Sequence, residues 1–161
     1  NLLKAFKSLK KETDFNIRYI LVLQILDKKY FDEIKNFIAE NFSNGEIILM
    51  HDIENKYLIN LYRYAEFYVF TSYSEVFGLT SLEAMSQECP VLISKKSALV
   101  EINSDAVEYF NPDMEDEIKF KMFKMLDDFD YRKKLIEKGN LHFKKFNWDQ
   151  TVKDTIKVLF N

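Results

Sequence analysis

Apolar residues recur along this chain with two alternating periods. Leu2, Leu3, Phe6 and Leu9 share one face with lysines opposite, which predicts an amphipathic helix to about Glu12. Arg18 to Ile25 is nearly all apolar and reads as a strand buried on both faces. Phe31, Ile34, Phe37, Ile38 and Phe42 return to helical spacing between Lys28 and Phe42, and Ser43-Asn44-Gly45 ends that helix with Gly45 as a left-handed cap. Glu46 to Met50 is a short strand, Asn55 to Tyr64 a helix with Leu58, Leu61 and Tyr62 on one side, and Phe67 to Thr71 the next strand. A polar loop and a helix carrying Glu83 lead to a strand at Pro90 to Ser94, then a polar loop from Lys95 to Ser97. Ala106 to Phe110 is a further short strand, stopped by Asn111-Pro112. The remainder reads as helices over Glu115 to Asp127, Tyr131 to Phe146 and Asp149 to Phe160, with a break or helix end expected near Gly139.

Strands alternating with helices at this pace predict an α/β fold: one domain over residues 1–161, with a parallel sheet flanked by helices. Ligands in such sheets bind beyond the carboxyl ends of the strands, where the stretch from Thr71 to Gly78 falls. A strand that feeds a glycine-containing turn into a helix also offers unpaired N–H groups and a favourable dipole to an anion.

Composition narrows the classes. A net charge of −3 argues against a general nucleic-acid binder, which is usually basic. The single cysteine, Cys89, excludes an internal disulfide and fits a reducing, cytoplasmic setting, and its place before an apolar strand suits a buried thiol. No apolar run approaches the roughly 18–20 residues that span a bilayer. His51 and His142 show no ligand spacing and no compact carboxylate cluster stands out, so no metal site is expected. The chain opens at Asn1 and runs at once into helical periodicity, which suggests a piece of something longer.

The chemistry concentrates in Ser74-Glu75-Val76-Phe77-Gly78-Leu79-Thr80-Ser81-Leu82-Glu83-Ala84-Met85. In a chain this acidic, two glutamates with seven residues between them mean little alone. The whole string, however, resembles the E-x7-E motif of the family-four type of retaining glycosyltransferases (glycosyl transferases group 1). The resemblance extends over Tyr62 to Ser72, Ala84-Met85, Pro90-Val91, Glu101-Ile102, Asn111-Pro112, Glu137-Lys138-Gly139 and Phe146-Asn147-Trp148. It covers nearly the whole chain, but only the C-terminal, donor-binding, Rossmann-like half of the two-domain GT-B architecture.

The resemblance implies the donor half of an enzyme that moves a sugar from a UDP- or GDP-linked donor to a glycan or lipid-linked acceptor, without a cofactor or bound metal. A bacterial surface polysaccharide, such as capsule or lipopolysaccharide, is the expected setting, in the cytoplasm or at the inner face of the membrane. Glu83 would grip the ribose hydroxyls, because a carboxylate can accept from both O–H groups of a cis-diol. Glu75, as the catalytic-site carboxylate, would orient the donor sugar. The N–H groups of Phe77, Gly78 and Leu79 would meet the sugar or diphosphate, with the Thr80 hydroxyl adding a phosphate contact. Thr80 and Ser81 equally suit helix capping, and Phe77 and Leu79 suit the core. His51 to Ile53 falls where the family has a loop near the base.

The sequence also departs from the pattern. The glycine-rich turn after the first strand reads Gln24-Ile25-Leu26-Asp27-Lys28, the glycine before the Pro90 strand is Glu88, and the next loop reads Ser97-Ala98-Leu99. The Arg and Lys that neutralise the donor diphosphate in the family precede the first helix and have no counterpart here; Lys4, Lys7, Lys10 and Lys11 are poor substitutes. The acceptor-binding N-terminal domain is absent too, so the chain alone is expected not to complete a transfer. A non-catalytic nucleotide-sugar-binding module, or a degenerate partner subunit, is the competing expectation.

Overall fold

The computed structural model describes residues 1–160. Helices and strands alternate as the periodicity predicts: α1 (Leu2–Glu12), β1 (Tyr19–Leu23), α2 (Lys28–Asn41), β2 (Ile47–His51), α3 (Asn55–Tyr64), β3 (Tyr68–Phe70), α4 (Leu79–Ser86), β4 (Val91–Ser94), α5 (Leu99–Asn103), β5 (Glu108–Phe110), α6 (Glu115–Asp127), α7 (Phe129–His142) and α8 (Trp148–Phe160). A 3-10 turn at Phe143–Lys145 separates the last two helices. Every strand pairing is parallel, as in a sheet built from βαβ units.

Parallel strands flanked by helices are what the sequence predicts. The strands form two hydrogen-bonded sets, β1-β2 and β3-β4-β5, with no ladder between them among the described residues. They nevertheless rest on a common apolar layer. Phe6 and Leu9 of α1, Ile118, Met122 and Met125 of α6, Ile47 of β2, Leu92 of β4 and Phe110 of β5 belong to one buried cluster, with Tyr19, Leu21 and Val69 packed against it. The opposite face of β3-β4-β5 is covered by a second cluster, including Tyr62 of α3, Leu82, Ala84 and Met85 of α4, Val91, Ile93 and Leu99.

The structure refines the sequence reading at three points. Gly45 has the left-handed φ of 85°, but it lies in the turn into β2; Phe42, with extended backbone, caps α2. α7 runs through Gly139 unbroken and ends close by, at His142. A side chain at position 139 would meet Met85 Cγ at 3.1 Å, so the glycine lets α7 lie close against α4. Lys95–Ser97 is a loop as predicted, and beyond it Leu99–Asn103, to which the periodicity assigns no element, forms the short helix α5. Its Asn103 is buried and donates to the Leu99 carbonyl at 2.8 Å, a local bond that hydrophobic periodicity does not reveal.

Two positions where the resemblance leads one to expect glycine carry side chains on left-handed backbone: Glu88 at φ 60° and Ser97 at φ 53°. Glu88 closes α4 in a Schellman arrangement, its N–H donating to Met85 O at 3.1 Å while Cys89 N–H reaches Ala84 O at 3.1 Å. The turn Gln24–Lys28 contains no positive φ; there Asp27 caps α2 by accepting from Tyr30 N–H at 3.0 Å. Cys89 is buried, and burial pushes its thiol up to about 12, so it is an inert packing residue. His142 is buried at the end of α7, with Nε2 2.6 Å from the Ile102 carbonyl oxygen, a structural tie. α8 buries no residue, and Val152, Ile156 and Leu159 on its apolar face are exposed.

Glu88→Gly is expected to raise stability by about 1 kcal/mol in urea unfolding, because it removes the left-handed penalty from an exposed side chain. A second expectation concerns alkali. Burial raises the phenol pKa values of Tyr19, Tyr62, Tyr68 and Tyr109, Tyr68 and Tyr109 to about 12. Unfolded phenols release protons near ~10, before the folded ones do. Above that pH the unfolded state holds fewer protons, so stability is intact below about 10 and falls as pH rises towards 12. Exposed phenols such as Tyr64 should ionise first, and the remaining tyrosinate absorbance should rise together with loss of helical circular dichroism; titration of all nine tyrosines without unfolding would contradict this.

Candidate functional site

The carboxyl ends of β3, β4 and β5 are tied to one another by their loops. Ser94 Oγ, fully buried at the end of β4, donates to the Ser72 carbonyl beyond β3. Tyr73 Oη donates to Asp113 Oδ1 at 2.8 Å, and Lys96 Nζ reaches Asp113 Oδ2 at 3.1 Å. The Tyr73 hydrogen bond, then Lys96, hold the Asp113 carboxyl below the usual carboxylate range. Ser97 clasps the Glu75 backbone, donating from Oγ to Glu75 O at 2.7 Å and accepting from Glu75 N–H at 3.3 Å. The Thr71–Gly78 loop is thereby held by its neighbours on the carboxyl edge.

Gly78 turns that loop into α4. Its φ is 82° and its ψ 50°, left-handed backbone that a side chain resists. A Cβ there would also lie 2.5 Å from Leu99 Cδ2, so the space beside Gly78 is filled by a buried leucine of α5. Ser81 Oγ donates to the Gly78 carbonyl at 2.8 Å, fixing the first turn. Beyond that turn, Leu82, Ala84 and Met85 face the core, while Leu79, Glu83 and Ser86 form the exposed stripe.

This arrangement gathers the residues singled out by the sequence. The N–H groups of Phe77, Gly78, Leu79 and Thr80 donate to no acceptor among the described residues. These are the donors that a helix start offers an anion. Neither the Glu75 nor the Glu83 carboxylate forms an ion pair or hydrogen bond among the described residues. Tyr68, at the start of β3, feels both charges. Burial is the main cause of its raised phenol pKa, and Glu83 and Glu75 both add to the rise, so both carboxylates lie within electrostatic reach of one hydroxyl. Tyr62 stacks edge-on to Tyr68, with centroids 5.1 Å apart, and also feels Glu83.

The side chains divide by role. Leu79 is 56% exposed, which rules out the plain core reading for it. Phe77 is half-buried, packs on the second apolar cluster and meets the Phe146 ring edge-on at 5.8 Å. Thr80 Oγ1 is enclosed beside the Tyr68 hydroxyl, so it neither caps the helix nor faces an open site. His51 is exposed at the end of β2; its partners are Asp52 and Phe31, not residues of the site. Lys4, Lys7 and Lys11 line a hollow of about 320 Å³ with Phe37, Asn41 and Glu115, and no residue of Thr71–Gly78 contributes to it.

Sequence reading missed Ser97, Tyr68, Tyr73, Lys96 and Asp113. Ser97 stood only as a replaced glycine, and Tyr68 as one apolar position of a strand. The one available signal was position, since each lies in a strand or loop that the α/β pattern places at or near the carboxyl edge.

The model of the family described as glycosyl transferases group 1 matches residues 1–142. Over 157 residues the chain is 30% identical to the O-antigen chain mannosyltransferase B of Escherichia coli, covering 98% of this chain and 41% of that protein. Over 154 residues it is 30% identical to an uncharacterized glycosyltransferase of Methanocaldococcus jannaschii, covering 92% of this chain and 41% of that one. The chain thus spans about two fifths of the length of these relatives. Among solved structures, the fold matches a UDP-forming α,α-trehalose-phosphate synthase from Burkholderia xenovorans, with a TM-score of 0.84 at 14% identity over 99% of this chain and 40% of that one. It also matches sucrose-phosphate synthase from Thermosynechococcus elongatus, with a TM-score of 0.79 at 20% identity over 98% and 42%. These likenesses establish the fold, that of GT-B enzymes. The family model and the relatives agree: the chain belongs to the group 1 glycosyltransferases.

Proposed function

We propose that this chain is the donor half of a retaining glycosyltransferase, binding a nucleotide-diphosphate sugar at the start of α4. The observation that carries the reading is the unbonded N–H groups of Phe77 to Thr80 beside two unpaired carboxylates, Glu75 and Glu83. An anion site alone has no use for flanking carboxylates. A ligand with a diphosphate and two sets of hydroxyls does. Glu83, on the exposed stripe of α4, accepts from the ribose hydroxyls, and Glu75, held through its backbone by Ser97, accepts from the donor sugar.

The reaction transfers a glycosyl group with retention of configuration, through a cation-like sugar and developing charge on the diphosphate leaving group. Fixed N–H donors at the helix start stabilise that charge more in the transition state than in the ground state. No metal or cofactor enters this reading. The base is a uridine or guanosine, and the acceptor a glycan or lipid-linked glycan that meets the sugar across the cleft from an N-terminal domain. The O-antigen mannosyltransferase relative supports bacterial surface polysaccharide synthesis as the setting, in the cytoplasm or at the inner membrane face. Transfer needs that second domain, so the 161-residue chain by itself binds donor without completing turnover.

Calorimetric titration of UDP, GDP and their sugars tests this. Glu83→Ala is expected to weaken nucleotide binding by roughly 10- to 100-fold, the loss of one or two hydrogen bonds to a charged group. Glu75→Ala should leave nucleotide affinity nearly intact and remove the preference for the sugar-bearing form. Unchanged affinity in Glu83→Ala would overturn the ribose assignment. Equal binding of nucleotide and nucleotide-sugar by the unsubstituted protein would favour a non-catalytic module.

A further inference from the structure

Glu75 has no helix or strand to hold it. From Tyr73 to Phe77 no main-chain group bonds to another main-chain group among the described residues, and the adjoining Val76 is 94% exposed. What fixes Glu75 comes from 22 positions along the chain: Ser97 Oγ donates to Glu75 O at 2.7 Å and accepts from Glu75 N–H at 3.3 Å. One hydroxyl thus takes both main-chain groups of a single residue. Those groups belong to the two planar peptides on either side of the Glu75 Cα, so holding both sets the direction of its Cα–Cβ bond. The carboxylate itself pairs with nothing among the described residues.

Ser97 makes these bonds from a firm seat. Its φ of 53° is left-handed, a conformation that a side chain resists. Glycine would adopt it more easily, but would leave both Glu75 groups to solvent. On one side of Ser97, Lys96 Nζ reaches Asp113 Oδ2 at 3.1 Å, and Asp113 in turn accepts from Tyr73 Oη at 2.8 Å. On the other side, Leu99 is fully buried and fills the space beside Gly78. Ser97–Leu99 therefore lies along Glu75–Gly78 and meets it twice, by a hydroxyl at Glu75 and by a leucine at Gly78. The loop after β4 is the mould against which the glutamate-bearing loop is set.

We propose that Ser97 is a positioning residue for the donor sugar, fixing the main chain of Glu75 and through it the direction of the carboxylate. This role rests on Glu75 accepting from the donor sugar, as proposed above. The single hydroxyl hydrogen of Ser97 is committed to Glu75 O, so the serine acts through the glutamate and not on the ligand. A carboxylate held in advance loses less freedom when the sugar arrives. The seat of the nucleotide is built otherwise, from the N–H groups at the start of α4 and from Glu83 on its exposed stripe. Loss of the Ser97 hydroxyl therefore leaves nucleotide affinity in place and weakens discrimination for the sugar.

Calorimetry on the complete protein, with UDP, UDP-glucose, GDP and GDP-mannose as probes, tests this. Ser97→Ala should lower the preference for sugar-bearing over bare nucleotide by roughly 10-fold, two neutral hydrogen bonds' worth, and keep bare-nucleotide affinity within about twofold. Ser97→Gly should lose as much preference, although its backbone is relaxed. In a Glu75→Ala background, adding Ser97→Ala should change nothing further.

Full preference in either serine variant would overturn the proposal. So would a further loss in the Glu75→Ala background, which would put the serine on the ligand, or an equal weakening of bare nucleotide, which would mark a general structural role. Each of these outcomes leaves the assignment of Glu75 to the sugar standing. An unsubstituted protein without preference for the sugar-bearing form would overturn that assignment, and the role of Ser97 with it.

Discussion

Leu99 occupies the space that a side chain at position 78 would need, and this one contact joins the fold to the site. It ties α5 to the start of α4 and leaves glycine as the residue that fits, since the turn there is also left-handed. With the turn fixed, Ser81 fastens to the Gly78 carbonyl, and the buried stripe of α4 fastens to the layer below. The helix start then points its unbonded N–H groups out over the carboxyl edge. The close approach of Gly139 to Met85 secures the same helix from its other side.

A second set of contacts makes that edge a platform. Tyr73, Lys96 and Asp113 come from the loops after three consecutive strands, and Ser97 holds Glu75 by its backbone and leaves the carboxylate unpaired. Each exposed bond contributes little to stability. Their effect is positional: the loop that carries the glutamate is attached to the loops that follow β4 and β5. Glycine losses that resemblance alone would score as damage look different in this setting. Glu88 and Ser97 keep the left-handed backbone that glycine favours, and Ser97 adds a hydroxyl that the loop uses.

Hydrophobic periodicity placed nearly every long element, because a buried stripe or strand must repeat with the geometry of the backbone that carries it. It assigned no element to α5, a single short turn whose Asn103 is satisfied locally, and it overstated Gly45, which lies in the turn into β2. At the site, Glu75, Phe77, Gly78, Leu79, Thr80 and Glu83 were legible as a string. Which side chains faced outward was not. Leu79 turned out exposed and Thr80 enclosed, since one position of helix rotation decides between core and solvent.

The amino-acid sequence by itself determined the α/β class, the strand–turn–helix around Gly78 and the family, because local periodicity and one motif are properties of consecutive residues. Only the tertiary structure decided that the strands part into two sets, that Tyr68 lies within reach of both glutamates and that Ser97 anchors Glu75. Those facts join residues distant in sequence. They arise from how the helices and strands settle on a shared apolar layer, which no single stretch of the chain records.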